Sequence, residues 1–265
     1  DKMKFDRIFF EKENTDYASS LKLLSNYLYK YYGKKVIVLI DEYDSPIINA
    51  FDKGYYNEAI EFFQVFYSSA LKTNDSLKYG ILTGITRIIK EGIFSGLNNL
   101  KVNNIFSEKY SEYYGLTENE VVEAVKYYGL EYKMEDVREW YDGYQFGETE
   151  IYNPWSIINF LDEKKLRPYW IGVSGNKTIY DLLGKADKKV IEDLEKLFVG
   201  KTVYKAINEY MEYAFNASDI WELFLYSGYL TTDGEKKGEL YPLRLPNKEI
   251  QTFFRKTFID RFVGN

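Results

Sequence analysis

Apolar positions in the first hundred residues change between helical spacing and short continuous runs. Apolar residues recur three to four positions apart between 17 and 31, and again between 55 and 71, which predicts two amphipathic helices. Val36–Ile40 is instead a run of five apolar residues, and residues 79–85 contain a second run. Such runs are typical of parallel strands that are buried on both faces. The order helix, strand, helix, strand therefore predicts a parallel sheet covered by helices.

The pattern becomes mainly helical after residue 116. Thr117 and Glu120 have the spacing of a capping box, which predicts the start of a helix. Asn153 followed by Pro154 predicts another helix start, and helical spacing continues toward residue 198. The last third combines a helix, a glycine-rich hairpin and a helix capped by Asn247. This order predicts a winged-helix-like module at the carboxyl end.

Composition excludes several kinds of catalysis. The 265 residues include no cysteine and no histidine, so thiolate nucleophiles, Ser-His-Asp triads and zinc sites built from these residues are excluded. The formal net charge of −6 argues against a dedicated nucleic-acid binder. The apolar runs are far shorter than the ~20 residues of a membrane span. We therefore expect a soluble cytoplasmic protein whose chemistry uses carboxylates, hydroxyls, Lys, Arg and a cation such as Mg²⁺.

The first apolar run is followed directly by two carboxylates, Asp41 and Glu42. This is the layout of a Walker B motif, because ligands of open α/β sheets bind at the carboxyl ends of strands. In that interpretation Asp41 holds Mg²⁺, and Glu42 polarises the attacking water as a general base from a poorly solvated pocket. The alternative is a strand that ends in acidic residues only because it emerges into solvent.

The end of the second run supports the nucleotide interpretation. In ring- and switch-type ATPases, the strand next to Walker B carries a polar sensor at its tip. Thr83, Thr86 and Arg87 are candidates for this position, and the Arg87 cation would counter charge that develops on the γ-phosphate. The alternative role of Arg87 is to pair with a surface carboxylate at the sheet edge.

Seven strings of the sequence together resemble the AAA-ATPase-like family of bacterial proteins. The strings are KKVIVLIDEYDSPI (34–47), LTGITR (82–87), FSGLNN (94–99), WYDGY (140–144), IYNPWS (151–156), SGYLT (227–231) and LPNKE (245–249). The resemblance runs from about residue 17 to the end. It implies a P-loop NTPase domain that is typically followed by a PD-(D/E)xK nuclease-like domain. Asp41 and Glu42 match the acidic pair of that family, and Arg87 matches its arginine after the strand.

The sequence also departs from the family. The family's phosphate-binding loop, GxxxxGK[ST], is missing: the nearest string is 199–202 (VGKT), where Glu195 stands in place of the first glycine. The two ExK strings, at 131–133 and 235–237, lie in predicted helix-end and turn positions rather than on a nuclease strand. We therefore expect a fragment without the phosphate loop and without the nuclease, which alone neither binds ATP tightly nor hydrolyses it.

These observations combine into one hypothesis. The expected fold class is α/β followed by mainly α, with a partial P-loop NTPase sheet (1–116), a helical lid (117–200) and a winged-helix-like domain (201–265). In the intact parent, ATP and Mg²⁺ would be the cofactors and the parent would be an ATPase. The expected catalytic residues are Glu42 and Arg87, the metal ligand is Asp41, and Thr83 and Thr86 complete the nucleotide site. Expected partners are a nucleotide, nucleic acid through the parent's nuclease, and no membrane; oligomerisation stays open.

Two other classes of function stay open. The first is a non-catalytic module for protein or nucleic-acid contact, for which a basic strip on the last helix is the candidate surface: Lys248, Arg255, Lys256 and Arg261. The second is a carboxylate-based hydrolase that uses Asp41, Glu42 and Asp44, with sugars as substrates because aromatic residues make up 18% of the chain. Adjacent carboxylates at one strand end suit a metal and base site better than a flanking acid pair.

Overall fold

The computed structural model describes residues 16–85, 100–170, 187–208 and 220–263. The described residues divide into two compact units, the first up to residue 101 and the second from residue 102 onward. The three-part division expected from the sequence, with boundaries after 116 and 200, stays a prediction.

The described residues form a mixed α and β structure. Their α-helices are α1 Ser20–Tyr32, α2 Ser45–Lys53, α3 Tyr56–Leu71, α4 Glu118–Tyr127, α5 Met134–Tyr141, α6 Pro154–Glu163, α7 Lys188–Phe198, α8 Ile220–Tyr226 and α9 Lys248–Val263. Their strands are β1 Val36–Ile40, β2 Leu77–Leu82, β3 Leu116–Thr117, β4 Tyr144–Phe146, β5 Thr149–Tyr152, β6 Val203–Ala206, β7 Thr231–Thr232 and β8 Leu240–Arg244.

The first unit contains the expected parallel strand pair. Strands β1 and β2 pair in parallel, with Ile40 opposite Leu82 at their carboxyl ends, and α2 and α3 connect them. The predicted helix at 55–71 is confirmed as α3. The first predicted helix is confirmed as α1, which ends at Gly33 in the left-handed conformation with φ +64°. Helix α2 was not predicted, although its sequence contains two usual signals for the ends of a helix: Pro46 in the first turn and Gly54 directly after the last turn.

Among the described residues of the first unit, one face of this sheet is exposed. Val38 is 5% exposed, whereas its neighbours Ile37 and Leu39 are 53% and 71% exposed. On β2, Tyr79 and Ile81 are opposite these two residues in the register and are 60% and 54% exposed. The prediction that both strands are buried on both faces is therefore wrong for the described structure, in which helices cover only the other face.

In the second unit, the chain first forms an antiparallel three-stranded sheet in the order β3-β5-β4. Helices α4, α5 and α6 contribute to the same hydrophobic core, where Val121, Tyr141 and Phe160 have no exposed surface. The predicted capping box is confirmed, because the Thr117 backbone N–H donates to the Glu120 carboxylate at 2.8 Å. The strands β3–β5 were not predicted, since the sequence pattern indicated mainly helices here.

The later part of the second unit contains a second antiparallel sheet, in the order β6-β8-β7. The predicted hairpin is present as β7 and β8, between α8 and α9. Asn247 begins α9 as expected, because its Oδ1 accepts a hydrogen bond from the Ile250 backbone N–H at 3.2 Å. Phe224 of α8 and Phe254 of α9 are fully buried and meet edge to face. Within the described ranges, every helix is too short or too polar to cross a lipid bilayer.

Candidate functional site

The strand ends of the first unit bring two distant polar residues together. The backbone hydrogen bonds that pair β1 with β2 continue beyond the ends of the two strands. The Thr83 N–H donates to the Ile40 carbonyl, and the Tyr43 N–H donates to the Thr83 carbonyl, both at 2.9 Å. Asp41 and Thr83 therefore lie side by side at one edge of the sheet. This is the edge where open α/β sheets bind their ligands.

Asp41 accepts two hydrogen bonds at the same oxygen. The Thr83 hydroxyl donates to Asp41 Oδ1, and the Glu42 backbone N–H donates to it at 3.1 Å. The Glu42 N–H is also 3.2 Å from Thr83 Oγ1. Within the described residues, Asp41 Oδ2 has no hydrogen bond, and the side chains of Asp41 and Thr83 are exposed. Oδ2 is therefore the oxygen that can bind a cation.

Glu42 has an unusual backbone conformation at this edge. Its φ of +49° is left-handed, which costs free energy for a residue with a side chain. This turn allows the Glu42 N–H to face both Asp41 and Thr83. The Glu42 carboxylate is exposed rather than held in the poorly solvated pocket that the sequence interpretation assumed.

A buried cluster supports the strand-end turn from behind. The Tyr67 hydroxyl donates to the Tyr43 carbonyl at 2.8 Å, and Tyr67 and Asp44 are each 2% exposed. Burial and the nearby charge of Asp44 raise the pKa of Tyr67 to about 12. A Cβ atom on Gly84 would lie 2.7 Å from both Asp44 Oδ1 and the Tyr43 ring, so only glycine fits there. These contacts hold the turn after β1, which carries Glu42, against the segment after β2, which carries Thr83.

The structure brings together part of the predicted site. Asp41, Glu42 and Thr83 lie together, while Thr86 and Arg87 lie outside the described residues. Sequence reasoning did not assign supporting roles to Tyr67 and Gly84. No local sequence signal indicates these roles, because they depend on contacts with the distant residues Tyr43 and Asp44.

The donor set at this edge fits a hard cation. No group of three or more Asp and Glu side chains within the described ranges could hold a metal ion by itself. Mg²⁺ at a nucleotide needs only one or two protein oxygens, because water and phosphate supply the other ligands. Asp41 Oδ2 and Thr83 Oγ1 are oxygens of the required kind.

The second unit contains a buried polar network built from the strings that carry the family resemblance. Glu249 is fully buried, and it accepts hydrogen bonds from Ser156 Oγ at 2.6 Å and from the Trp170 backbone N–H at 2.7 Å. Asn247 Nδ2 donates to the Asp142 carbonyl at 2.9 Å. Burial raises the pKa of the Asp142 carboxyl. The network joins segments that are about a hundred positions apart, and it fixes their relative positions within the second unit.

The structure describes two of the weaker sequence candidates, the string 199–202 and part of the basic strip. The string 199–202 follows α7, and the Lys201 N–H donates to the Lys196 carbonyl at 2.9 Å, so it closes a helix instead of opening one. In the proposed basic strip, Lys248 pairs with Glu139 at 3.0 Å and Arg255 is exposed. The side chains of Lys256 and Arg261 lie outside the described part of the chain.

Comparison with known proteins gives two matches. The model of the AAA-ATPase-like family, described as "Predicted AAA-ATPase", matches residues 2–94, which include β1, β2 and the strand-end residues. The "Uncharacterized protein in vnfD 5'region" of Azotobacter chroococcum mcd 1 is 28% identical over 239 residues, which cover 87% of this chain. The chain spans 44% of the length of that relative. No solved structure matches the chain.

The class that fold and site define is an α/β protein with an acidic site at the carboxyl ends of parallel strands. Its first third is similar to the AAA-ATPase-like family, and 87% of the chain is similar to part of a longer bacterial protein.

Proposed function

We propose that the first unit provides the acidic half of an ATP and Mg²⁺ site in an AAA-like ATPase. The observation that carries this proposal is the Thr83 hydroxyl on the Asp41 carboxylate, at the carboxyl ends of two parallel strands. The family match over residues 2–94 supports it. In this role β1 with Asp41 and Glu42 is the Walker B strand, and β2 with Thr83 is the sensor strand.

Each residue has a distinct task in this site. Asp41 holds the cation through Oδ2, while its Oδ1 keeps the Thr83 hydroxyl and the Glu42 N–H in place. Glu42 orients the attacking water and accepts its proton. In the proposed mechanism, Thr86 completes the nucleotide site and Arg87 counters charge on the γ-phosphate. When bound, Mg²⁺ would neutralise phosphate charge beside these groups.

The phosphate loop would have to come from another segment. The exposed apolar face of the β1–β2 sheet supports this idea, because parallel sheets are normally covered on both faces. The relative is more than twice as long as the region that it shares with this chain. A protein of that length can contain a further segment with the phosphate loop. We propose that a strand and helix with the phosphate loop complete the P-loop NTPase fold.

The remaining parts of the hypothesis belong to the same proposal. Helix α8, the β7–β8 hairpin and helix α9 have the order of a winged-helix-like module, and α4–α6 would form the helical lid. The protein would act in the cytoplasm with a nucleotide as its partner, and nucleic acid would be reached through a nuclease domain of the longer protein.

The test is ATP hydrolysis by the complete protein that the gene encodes. Glu42→Gln should abolish turnover and keep Mg²⁺-dependent ATP binding, because it removes the base and keeps the shape of the side chain. Glu61→Gln, on the exposed side of α3, is the matched control and should hydrolyse ATP at the normal rate. If the complete protein does not bind ATP, or if Glu42→Gln turns over normally, the proposal is wrong.

A second candidate function is a non-catalytic interaction module, and the uncovered apolar sheet face is the observation that favours it. In that case the complete protein would bind no ATP, and its Asp41 variants would keep full biological activity. The same ATP-binding measurement therefore separates the two candidates.

A further inference from the structure

The second unit contains a half-open cavity of about 380 Å³ that plays no part in the proposed nucleotide site. Strand β4, the start of α6 and the end of α8 contribute to its wall, together with Trp170. Its volume falls within the range of about 300–1,000 Å³ that is usual for small-molecule sites. The cavity is lined by parts of the strings 140–144, 151–156 and 227–231, to which the strand-end chemistry assigns no role.

The wall of the cavity is aromatic and uncharged. Aromatic rings form its largest group of side chains, including Tyr114, Phe146, Trp155 and Trp170, and no charged residue is among the described residues that line it. Tyr114 and Phe146 stack with ring centres 5.0 Å apart. Flat rings of this kind bind flat apolar faces. The absence of cations among these described lining residues argues against a phosphate or another anion as the main contact.

The polar groups of the wall are mostly engaged within the protein. Asn153 Oδ1 accepts hydrogen bonds from two backbone N–H groups in the first turn of α6, at 2.9 and 3.3 Å. Gln145 Nε2 donates to the Gly147 carbonyl at 2.9 Å. Within the described residues, the Ser227 hydroxyl and the indole N–H groups of Trp155 and Trp170 have no hydrogen bond. The lining residues therefore keep a few donors and little capacity for a ligand with many hydroxyl groups.

Gly228 lies beside two aromatic rings of the wall. Its φ is +76°, and a Cβ atom there would be 3.6 Å from both the Trp170 ring and the Tyr144 ring. Trp170 itself is held in place, because its backbone N–H donates to the buried Glu249 and its ring contacts Tyr229. The wall is thus preformed at this point, which lowers the entropic cost of binding a rigid ligand.

We propose that this cavity binds an uncharged heteroaromatic ring of the nucleobase class, stacked on the aromatic wall. A flat ring with a few acceptor atoms at its edge matches the flat faces and the few free donors, and aromatic side chains are the usual stacking partners of bases. A sugar is a poorer match, because its several hydroxyl groups would find few partners.

Titration calorimetry with adenosine, guanosine, cytidine and uridine tests the proposal on this chain. At least one nucleoside should bind, and Trp155→Ala should weaken its binding about tenfold, because the stacking face is lost. Trp155 is 48% exposed, so the variant should fold, and Ile158→Ala is the matched control on the same helix, at 60% exposure outside the cavity. Ser227→Leu, which fills the cavity, should also weaken binding.

Fluorescence gives an independent measurement. All four tryptophans lie in the second unit, and Trp155 and Trp170 line the cavity, so bound nucleoside should quench the emission. The 5′-monophosphate should bind about as tightly as the nucleoside, because none of the described residues that line the cavity is a cation. If a short single-stranded oligonucleotide binds far more tightly than its nucleosides, the bound ring belongs to a nucleic-acid strand rather than to a free nucleoside.

Several results would overturn the proposal. They are no nucleoside binding at millimolar concentration, equal binding by Trp155→Ala and the parent chain, or a strong preference for the monophosphate. Binding that is lost in Asp41→Ala and kept in Trp155→Ala would also overturn it, because the nucleoside would then occupy the strand-end site. Since Trp155 and Asp41 lie in different units, failure here leaves the proposed ATPase function intact, and the reverse also holds.

Discussion

The hydroxyl of Thr83 donates a hydrogen bond to Oδ1 of Asp41, although the two residues are 42 positions apart. The parallel register of β1 and β2 brings them together, because Ile40 lies opposite Leu82 and each polar residue follows its strand. The bond occupies one oxygen of Asp41 and orients the other. The sheet thus sets the direction in which Asp41 presents its charge.

Loss of this bond should weaken cation binding more than it weakens folding. We predict that Thr83→Val in the complete protein raises the Mg²⁺ concentration for half-maximal ATP hydrolysis about fivefold, which corresponds to about 1 kcal/mol for one hydrogen bond. Thr83→Ser keeps the hydroxyl and should behave like the parent. Mg²⁺ titrations of the ATPase rate give the answer, and equal midpoints for the valine and serine variants would contradict the role of Thr83.

Asp193 forms an ion-pair cluster in the second unit whose stability should depend on pH. It contacts Lys205 at 2.5 Å and Lys196 at 2.6 Å, and the Asp193 and Lys205 side chains are only 11% and 16% exposed. Burial alone would raise the pKa of Asp193, but the hydrogen bonds and charges of the two lysines outweigh burial and hold this pKa below its usual value. The carboxylate therefore stabilises the folded state above about pH 4, and this contribution is lost as the pH falls through the lowered pKa.

We predict that Asp193→Asn lowers the free energy of unfolding at pH 7 by about 2 kcal/mol, because it leaves a mostly buried Lys205 without its counter-charge. The difference from the parent should shrink as the pH is lowered below 4. Glu192→Gln is the matched control on the same helix, since Glu192 and Lys188 form an exposed pair at 3.8 Å. Urea unfolding at several pH values measures both variants, and a pH-independent difference for Asp193→Asn would contradict the assignment.

Among the described glycines of the second unit, Gly143 should tolerate substitution least. Its φ is +97°, and a Cβ atom there would lie 2.2 Å from the backbone oxygen of Pro246. Gly143→Ala should therefore destabilise the chain by about 3 kcal/mol or more, because the backbone has to move. Gly129→Ala has φ +68° and open space around the new methyl group, so it should cost only about 1 kcal/mol. Thermal unfolding of the two variants distinguishes steric contact from backbone strain.

The sequence was informative where local pattern and chemistry coincide. The run Val36–Ile40 followed by Asp41 predicted both a strand and a strand-end acid, and the parallel pairing with β2 is confirmed. The capping box at Thr117 and the helix start at Asn153 are also confirmed, because each depends on contacts within a few residues. Local rules of this kind can be read without knowledge of the rest of the chain.

The features that sequence reasoning missed depend on contacts between distant segments. Strands β3–β5 are two to four residues long, too short for a periodic signal, and they exist because they pair with one another. The contact of Asn247 with Asp142 spans 105 positions, and no local pattern indicates it. Exposure of Leu39 was mispredicted for a related reason: an apolar run shows that a strand can be buried, but the run alone does not show what covers it.

The exposed face of the β1–β2 sheet leads to the last prediction. Leu39 is 71% exposed in this chain, so Leu39→Lys should change the free energy of unfolding by no more than about 0.5 kcal/mol. If a segment with the phosphate loop covers this face in the complete protein, the same substitution there should cost about 2 kcal/mol or more and weaken ATP binding, because it places a charge inside a packed interface. Tyr31→Lys, at an 82% exposed position on α1, is the control and should be neutral in both proteins. Unfolding and ATP-binding measurements on this chain and on the complete protein test whether a further segment covers this face. A neutral Leu39→Lys in the complete protein would show that the face stays open to solvent.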